Sequence, residues 1–265
     1  MDDDADKTGP HTFSYGAHPA QFVEVHLPPG AGPHPVVVLI HGGFWRLPWD
    51  LDLMRPLAQD LVLRGFATVN VEYRRLGEEG SGWPDTCQDV LHAVNHVLHD
   101  LPQLPETSSL DPSRVALVGH SAGGHLALWA ASHLRGHVAM VVSQAGVVDL
   151  RAASRDRLDE QDGKPPAATE FMHGEPPEAP AYGLASPIEL LPLGSQVFQL
   201  VVHGNADNRV PFQQSRDYVR AAEVVGDDVR LAPFTGMGHF ELIDPTHESW
   251  RTTAAELTSH LKGHA

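Results

Sequence analysis

Near the middle of the chain, Gly119-His120-Ser121-Ala122-Gly123 stands between an apolar run over 115–118 and a helix-like pattern carried by Leu126, Ala127, Leu128 and Ala130. At such a strand–turn–helix junction, a G-x-S-x-G holds its serine in a strained backbone conformation that lifts the hydroxyl clear of the sheet edge. Side chains at Gly119 or Gly123 would collide across so sharp a turn. Ser121 is therefore a candidate nucleophile, and a serine hydroxyl is a weak one until a base accepts its proton. A carboxylate and a histidine are required downstream, in that order. His203-Gly204-Asn205-Ala206-Asp207 follows an apolar run at 197–202 and sets Asp207 in a glycine-containing turn. Gly236-Met237-Gly238-His239-Phe240 sets His239 in a glycine-bracketed loop that can reach Ser121.

Proton accounting assigns the roles. His239 takes the Ser121 proton as the hydroxyl attacks a carbonyl and later returns it to the leaving group, while Asp207 accepts the other ring hydrogen and fixes the tautomer. Asp149, which also follows a buried strand, is the main rival acid; Asp244 lies too near His239 in sequence to reach the far ring nitrogen. A tetrahedral oxyanion needs preorganised donors. One is expected from the backbone N–H of Ala122, at a helix start where the dipole favours negative charge. The others are expected from His41-Gly42-Gly43-Phe44-Trp45, where Gly42 and Gly43 let the main chain approach closely and the N–H groups of Gly43 and Phe44 are favoured.

Elements that position these groups follow from the apolar spacing. Continuous β-branched runs at 36–40, 67–71, 115–118, 138–142 and 197–202 have the pattern of strands buried on both faces of a parallel sheet. An alternating stretch at 21–27 and a run at 229–231 add two more strands. Helical spacing appears at 51–64, from Pro84 to 101, after the elbow, at 212–225 and at 247–261, and Asp111-Pro112-Ser113-Arg114 reads as a turn. Strands alternating with helices predict an α/β fold with a mostly parallel, doubly wound sheet, whose strand C-termini gather the reactive groups. Over 147–193 the periodicity fails in a polar, Pro-rich segment, expected to form short helices and loops as a small cap over the active-site end. Residues 1–10 read as an acidic, poorly ordered tail, and 11–265 as a single domain. Core packing is the default for Phe44, Trp45, Trp83, Phe171, Met172 and Tyr182, and each is also a candidate for the substrate pocket, with Phe171 and Tyr182 shaping the leaving-group side.

Composition bounds the partners. With 18 Lys plus Arg against 34 Asp plus Glu, the net charge of -16 argues against nucleic acid or an anionic membrane surface. At 265 residues, 42% hydrophobic, with no apolar run of spanning length, the chain reads as one soluble domain with a large core. Met1-Asp2-Asp3-Asp4 lacks the basic and apolar regions of a signal peptide, so a cytoplasmic location is expected. The lone Cys87, beside Asp85 and Asp89, reads as a buried structural thiol. His92, His96 and His99 share one helix, but no H-E-x-x-H glutamate accompanies them, and a solvated face is favoured over a metal site. An edge-strand homodimer is carried by fold analogy only.

The residues above carry a resemblance. The chain resembles the α/β-hydrolases of esterase and lipase type, and His41-Gly42-Gly43-Phe44-Trp45 together with Gly119-His120-Ser121-Ala122-Gly123 is similar to the kynurenine formamidase branch, with H-G-G-x-W where hormone-sensitive-lipase relatives show H-G-G-G. The resemblance implies hydrolysis of a small ester, or of an activated amide such as an N-formyl aryl amide, without metal or organic cofactor. Phe44 in place of a third glycine tells against tertiary-alcohol and large acyl substrates. A hydrolase-fold protein that binds a small ligand without chemistry is the expectation from another class; members of that kind usually lose a triad residue, and here all three are present.

Overall fold

A computed structural model of the chain describes residues 9–160 and 163–263. Eight strands form one sheet: β1 (His11–Ser14), β2 (Phe22–His26), β3 (His34–Ile40), β4 (Ala67–Val71), β5 (Leu110–His120), β6 (Met140–Gln144), β7 (Phe198–Gly204) and β8 (Val229–Phe234). Their spatial order is β1-β2-β4-β3-β5-β6-β7-β8. β2 pairs antiparallel with both β1 and β4, and every later pairing is parallel. The helices are α1 (Arg55–Leu63), α2 (Asp85–His99), α3 (Ala122–His133), α4 (Leu150–Arg155), α5 (Ala167–Phe171), α6 (Ala181–Ala185), α7 (Phe212–Val224) and α8 (Glu248–Lys262).

The two-residue period of a strand divides the central strands between two cores. Val36, Val38 and Ile40 of β3, with Val115 and Leu117 of β5, join the core made with α2, α3 and α7. Val37 and Leu39, with Ala116 and Val118, join the opposite core made with α1 and α8. Burying each of these valines, leucines and isoleucines stabilises by roughly 1.5–3 kcal/mol. A one-residue slip would exchange the two sets, so register is strongly specified. Because the central strands are parallel, the C-terminal ends of β3, β5, β7 and β8 lie along one edge of the sheet, and the loops leaving them carry His41 to Trp45, Ser121, Asp207 and His239.

Several elements differ from the sequence expectation. β1 was not predicted: its four residues are mostly exposed at the sheet edge, so no apolar alternation marks them. The helix expected from residue 51 begins as a 3-10 turn, Leu51–Met54, capped by the Asp50 carboxylate accepting from the Asp52 N–H, and becomes α-helical only at Arg55. Asp111 to Arg114 lies inside β5, where pairing with β3 jumps from Pro35↔Asp111 to Val36↔Val115. β6 begins two residues later than the apolar run suggests. Over 147–193 the described residues form α4, α5, α6 and a 3-10 turn at Pro187–Glu189. Most of the expected acidic tail, residues 1–8, lies outside the described residues.

Candidate active site

Ser121 sits between β5 and α3 at φ 55° and ψ -119°, the strained turn the sequence called for. A Cβ at Gly119 would collide with the Gly123 carbonyl, and one at Gly123 with the Ile40 carbonyl at the end of β3. The first glycine thus lets strand and helix close across the turn; the second lets the elbow press against the neighbouring strand. Backbone bonds then fix the serine, its N–H donating to Gln144 O at 2.8 Å and its carbonyl accepting from the His125 N–H at 3.2 Å.

His239 and Asp207 meet as expected. His239 Nδ1–H donates to Asp207 Oδ2 at 2.6 Å, with the carboxylate wholly buried. The loops that carry them are laced together: Ala206 N–H donates to Met237 O at 3.0 Å, Asn205 N–H to Phe234 O at 2.9 Å, and Gly236 N–H to Asn205 Oδ1 at 2.7 Å. A Cβ at Gly204 would strike the Met237 carbonyl, so glycine there admits the crossing. Asp207 also accepts from the backbone N–H groups of Arg209 (2.7 Å) and Val210 (2.9 Å) through Oδ1. Burial raises its pKa, but the hydrogen bonds from His203 and His239 outweigh that and hold it well below the usual carboxylate range. The rival acids are engaged elsewhere. Asp149 caps α4 through Ala152 N–H at 2.9 Å, and Asp244 accepts from Thr246 N–H at 2.8 Å.

Ser121 and His239 both line one cavity of about 290 Å³. Asp207 occupies Nδ1 of the ring, which leaves Nε2 for the serine; no hydrogen bond links Ser121 Oγ to the ring in this structure, and catalytic contacts of this kind often tighten only when substrate binds. On the other side of Ser121, Gly43, Phe44 and Trp45 follow one another at φ 109°, 52° and 58°. A Cβ at Gly42 would crowd His120 O at 2.8 Å and Ser121 Cβ at 3.0 Å. This is the close approach expected of an oxyanion loop. Gly43 and Phe44 line the cavity, and the first N–H groups of α3, beginning at Ala122, have no partner within the helix. The loop is braced from behind: His41 Nδ1 lies 2.8 Å from Gly42 O and Nε2 lies 3.1 Å from Glu72 Oε1, while Tyr73 stacks on the His41 ring and donates to its carbonyl at 2.8 Å.

The pocket aromatics are corrected. Trp45, Trp83, Phe171 and Tyr182 do not line this cavity. Trp45 and Phe171 are buried and stacked at 4.6 Å, Trp83 packs edge-on to Trp129 at 5.9 Å, and the Tyr182 hydroxyl donates to Ser154 Oγ and Glu175 O, each at 3.2 Å. Met172 is buried as well. Large aromatics stabilise most where they are fully enclosed, and here the 147–193 segment and α3 enclose Trp45, Phe171 and Tyr182, with Trp83 partly buried at their margin. The walls belong instead to Arg46, Leu47, Pro48 and Trp49, which continue the His-Gly-Gly loop, and to Leu53, Asp159, Lys164, Arg209 and Phe240. Arg209 and Phe240 lie within two residues of Asp207 and His239, so closeness in the chain to the reactive loops was the signal available; Asp159 and Lys164 had none.

Three further histidines, to which the sequence reading gives no role, lie beside Ser121, Asp207 and His239. His203 Nε2–H donates to Asp207 Oδ2 and Val210 O, both at 3.1 Å, while its Nδ1 accepts from the Ser215 hydroxyl at 2.7 Å. His120 Nε2–H donates to His239 O at 3.0 Å, leaving Nδ1 buried without a partner. Burial, then the neighbouring His239, lowers the His120 pKa to about 3. His125 accepts from Trp45 Nε1–H (3.2 Å) and donates to Ala185 O (2.9 Å), tying the loop, the elbow helix and the cap; burial lowers its pKa to about 4. Cys87 is buried, and burial with Asp89 pushes its thiol pKa well up, against any nucleophilic role. His96 pairs with Asp100 at 2.8 Å, and among the described residues no cluster of three or more His, Cys, Asp or Glu could hold a metal ion.

A family model described as BD-FAE matches residues 23–221. The chain belongs to the BD-FAE family. This BD-FAE member is 26% identical over 250 residues to esterase LipC of Mycobacterium tuberculosis, covering 87% of this chain and 59% of that protein. It is 29% identical over 206 residues to the probable carboxylic ester hydrolase LipM of the same organism, covering 71% and 44%. The chain thus spans about half the length of these curated relatives. A solved structure described as a truncated carbohydrate esterase from gut microbiota superposes with a TM-score of 0.76 at 22% identity, over 97% of this chain and 99% of that one. The architecture is the α/β-hydrolase fold. Among the described residues no helix is long and apolar enough to cross a membrane.

Proposed function

We propose that this BD-FAE member is a serine hydrolase that cleaves small carboxylic esters through an acyl-enzyme. Ser121 attacks the carbonyl carbon, His239 Nε2 takes its proton, and Asp207 stabilises the imidazolium that results. The bond between the acyl carbon and the alcohol oxygen then breaks as His239 returns the proton to the departing oxygen; a water deprotonated by the same ring attacks the acyl-serine, and the proton goes to Ser121 Oγ as the acid leaves. The N–H groups of Ala122, Gly43 and Phe44 receive the oxyanion, each such donor contributing about 3–4 kcal/mol to the transition state. The observation that carries this reading is the buried 2.6 Å His239–Asp207 bond beside a serine held at positive φ on the same cavity. The esterase names of the relatives support it.

N-formyl aryl amides, the kynurenine formamidase reading, come second. The His41-Gly42-Gly43-Phe44-Trp45 form favours them, but Trp45 packs on His125 and Phe171 away from the cavity, so the tryptophan speaks to packing more than to substrate. Parallel kcat/KM on p-nitrophenyl acetate and N-formylkynurenine separates the two. A fluorophosphonate is expected to label Ser121 stoichiometrically, and Ser121→Ala to lower ester turnover by more than about 10^4-fold with the fold intact. Full activity in that variant would refute the mechanism, and absence of labelling would favour a ligand-binding protein. We further propose a small-molecule substrate without cofactor, a cytoplasmic setting, and no nucleic-acid or membrane partner.

A further inference from the structure

The cavity beside Ser121 has two unlike walls. Leu47, Pro48, Trp49, Leu53 and Phe240 make one of them apolar, while Arg46, Lys164, Arg209 and Asp159 form the other. In a chain of net charge -16, three cations facing one carboxylate reverse the average sign of the molecule. Internal pairing cancels Arg46 but leaves the other two largely uncompensated. Arg46 is matched twice, with Nη1 2.7 Å from Asp159 Oδ2 and Nη2 2.6 Å from Glu170 Oε2. Arg209 only approaches the other oxygen of Asp159, at 3.9 Å, with its side chain half exposed. Lys164 makes no ion pair among the described residues. The nearby Asp207 contributes little outward field, because its carboxylate is wholly buried behind His239 and accepts four hydrogen bonds. Of the histidines on the cavity, His120 is held neutral.

We infer that Arg209 and Lys164 form a carboxylate subsite, so that the substrates of this chain are esters, or activated amides, that carry a free carboxylate a few bonds from the scissile carbonyl. The inference rests on the serine-hydrolase reading and narrows it. A cavity of about 290 Å³ is filled by a small molecule, so a substrate whose carbonyl lies at Ser121 extends to the charged wall. The guanidinium fork of Arg209 suits a planar carboxylate, with the Lys164 ammonium as a second point charge, while the apolar wall receives the intervening carbons. Because the molecule as a whole repels anions, the preference has to arise from this local field and is screened by salt.

Two matched ester pairs test it: 4-nitrophenyl hydrogen glutarate against its methyl ester, and 4-acetoxybenzoate against methyl 4-acetoxybenzoate. They place the carboxylate on the acyl and leaving-group sides, with uncatalysed hydrolysis subtracted. In at least one pair the acid is expected to exceed its methyl ester in kcat/KM by about tenfold at low salt. The double variant Arg209→Gln, Lys164→Gln should bring that ratio near one, and salt raised to about 0.5 M should narrow it. Methyl esters cleaved as well as the acids in both pairs would overturn the subsite, as would a ratio that survives the double substitution. No Ser121-dependent turnover of any of the four esters would instead sink the hydrolase reading, and this inference with it.

Discussion

The loops that carry Ser121, Asp207 and His239 and the 147–193 segment are fastened in different ways. Ser121, Asp207 and His239 are set by backbone: strand ends, glycines that admit close crossings, and main-chain bonds such as Ala206 to Met237. The 147–193 segment buries Phe171, Met172 and Tyr182 in the core, and its outer turns are fastened by charged side chains. Arg46 reaches Asp159, Glu170 and Pro165 O, and Arg151 bonds Glu189 together with the carbonyls of Pro177 and Ala179. Backbone fastening fixes positions to a fraction of an ångström and is indifferent to salt. Charged side chains allow a wider range of arrangements and answer to their surroundings. The proposed reacting groups therefore sit on the backbone-held part, and the charged boundary of the cavity on side chains.

Breaking each kind of fastening should give a different signature. Asp207→Asn keeps the shape but presents the wrong partner to His239 Nδ1, so kcat on an activated ester is expected to fall by about 10^4-fold with little change in melting temperature; a drop of less than tenfold would detach Asp207 from the relay. Arg46→Met leaves the carboxylates of Asp159 and Glu170 without their shared cation, and urea unfolding is expected to show a loss of about 3 kcal/mol, with kcat reduced far less than in Asp207→Asn. Equal stability would mean that charge does not hold the segment. Gly204→Ala pushes a methyl against the Met237 carbonyl and shifts the His239 loop, for an expected loss of about 10^2-fold in kcat. Unchanged kinetics would show that the two loops move independently.

A pH effect joins the two regions. His125 ties Trp45 and the elbow helix to Ala185, and its pKa is lowered to about 4 from an ordinary value near 6.5. Between those values the unfolded chain binds a proton that the folded one refuses, so stability is fully present above about pH 6.5 and is lost as pH falls towards 4. His120, lowered to about 3, adds to the same slope. His125→Gln should make the dependence shallower by about 1.4 kcal/mol per pH unit in that window, read from unfolding midpoints at three pH values. An unaltered slope would exonerate His125.

What the sequence discloses divides along the same line. Buried parallel strands write continuous β-branched runs, and sharp turns at their ends write glycines, so the sheet, the elbow and the loops of Asp207 and His239 were readable from local pattern. β1 was not, because four exposed edge residues carry no alternation. The pocket aromatics misled because an aromatic side chain fits a core and a cavity equally well, and only the tertiary path of 147–193 turns Phe171 and Tyr182 inward. Asp159 and Lys164 come to the cavity through a segment without period, and nothing near them in the chain marks the meeting.

The irregularity where Pro35 and Val36 face the 111–115 stretch of β5 behaves as an expansion joint. Upstream of it the two strands keep one alignment; downstream, five consecutive pairs run unbroken from Val36↔Val115 to Ile40↔Gly119, two residues short of Ser121. Asp111 holds Ser113 and Arg114, and Arg114 donates to Pro33 O at 2.9 Å and Leu261 O at 3.3 Å, so the extra length of β5 is pinned before the regular pairing begins. The mismatch in length between β3 and β5 is thus taken up at the start of the two strands, and the turn at Ser121 is approached by regular pairing alone.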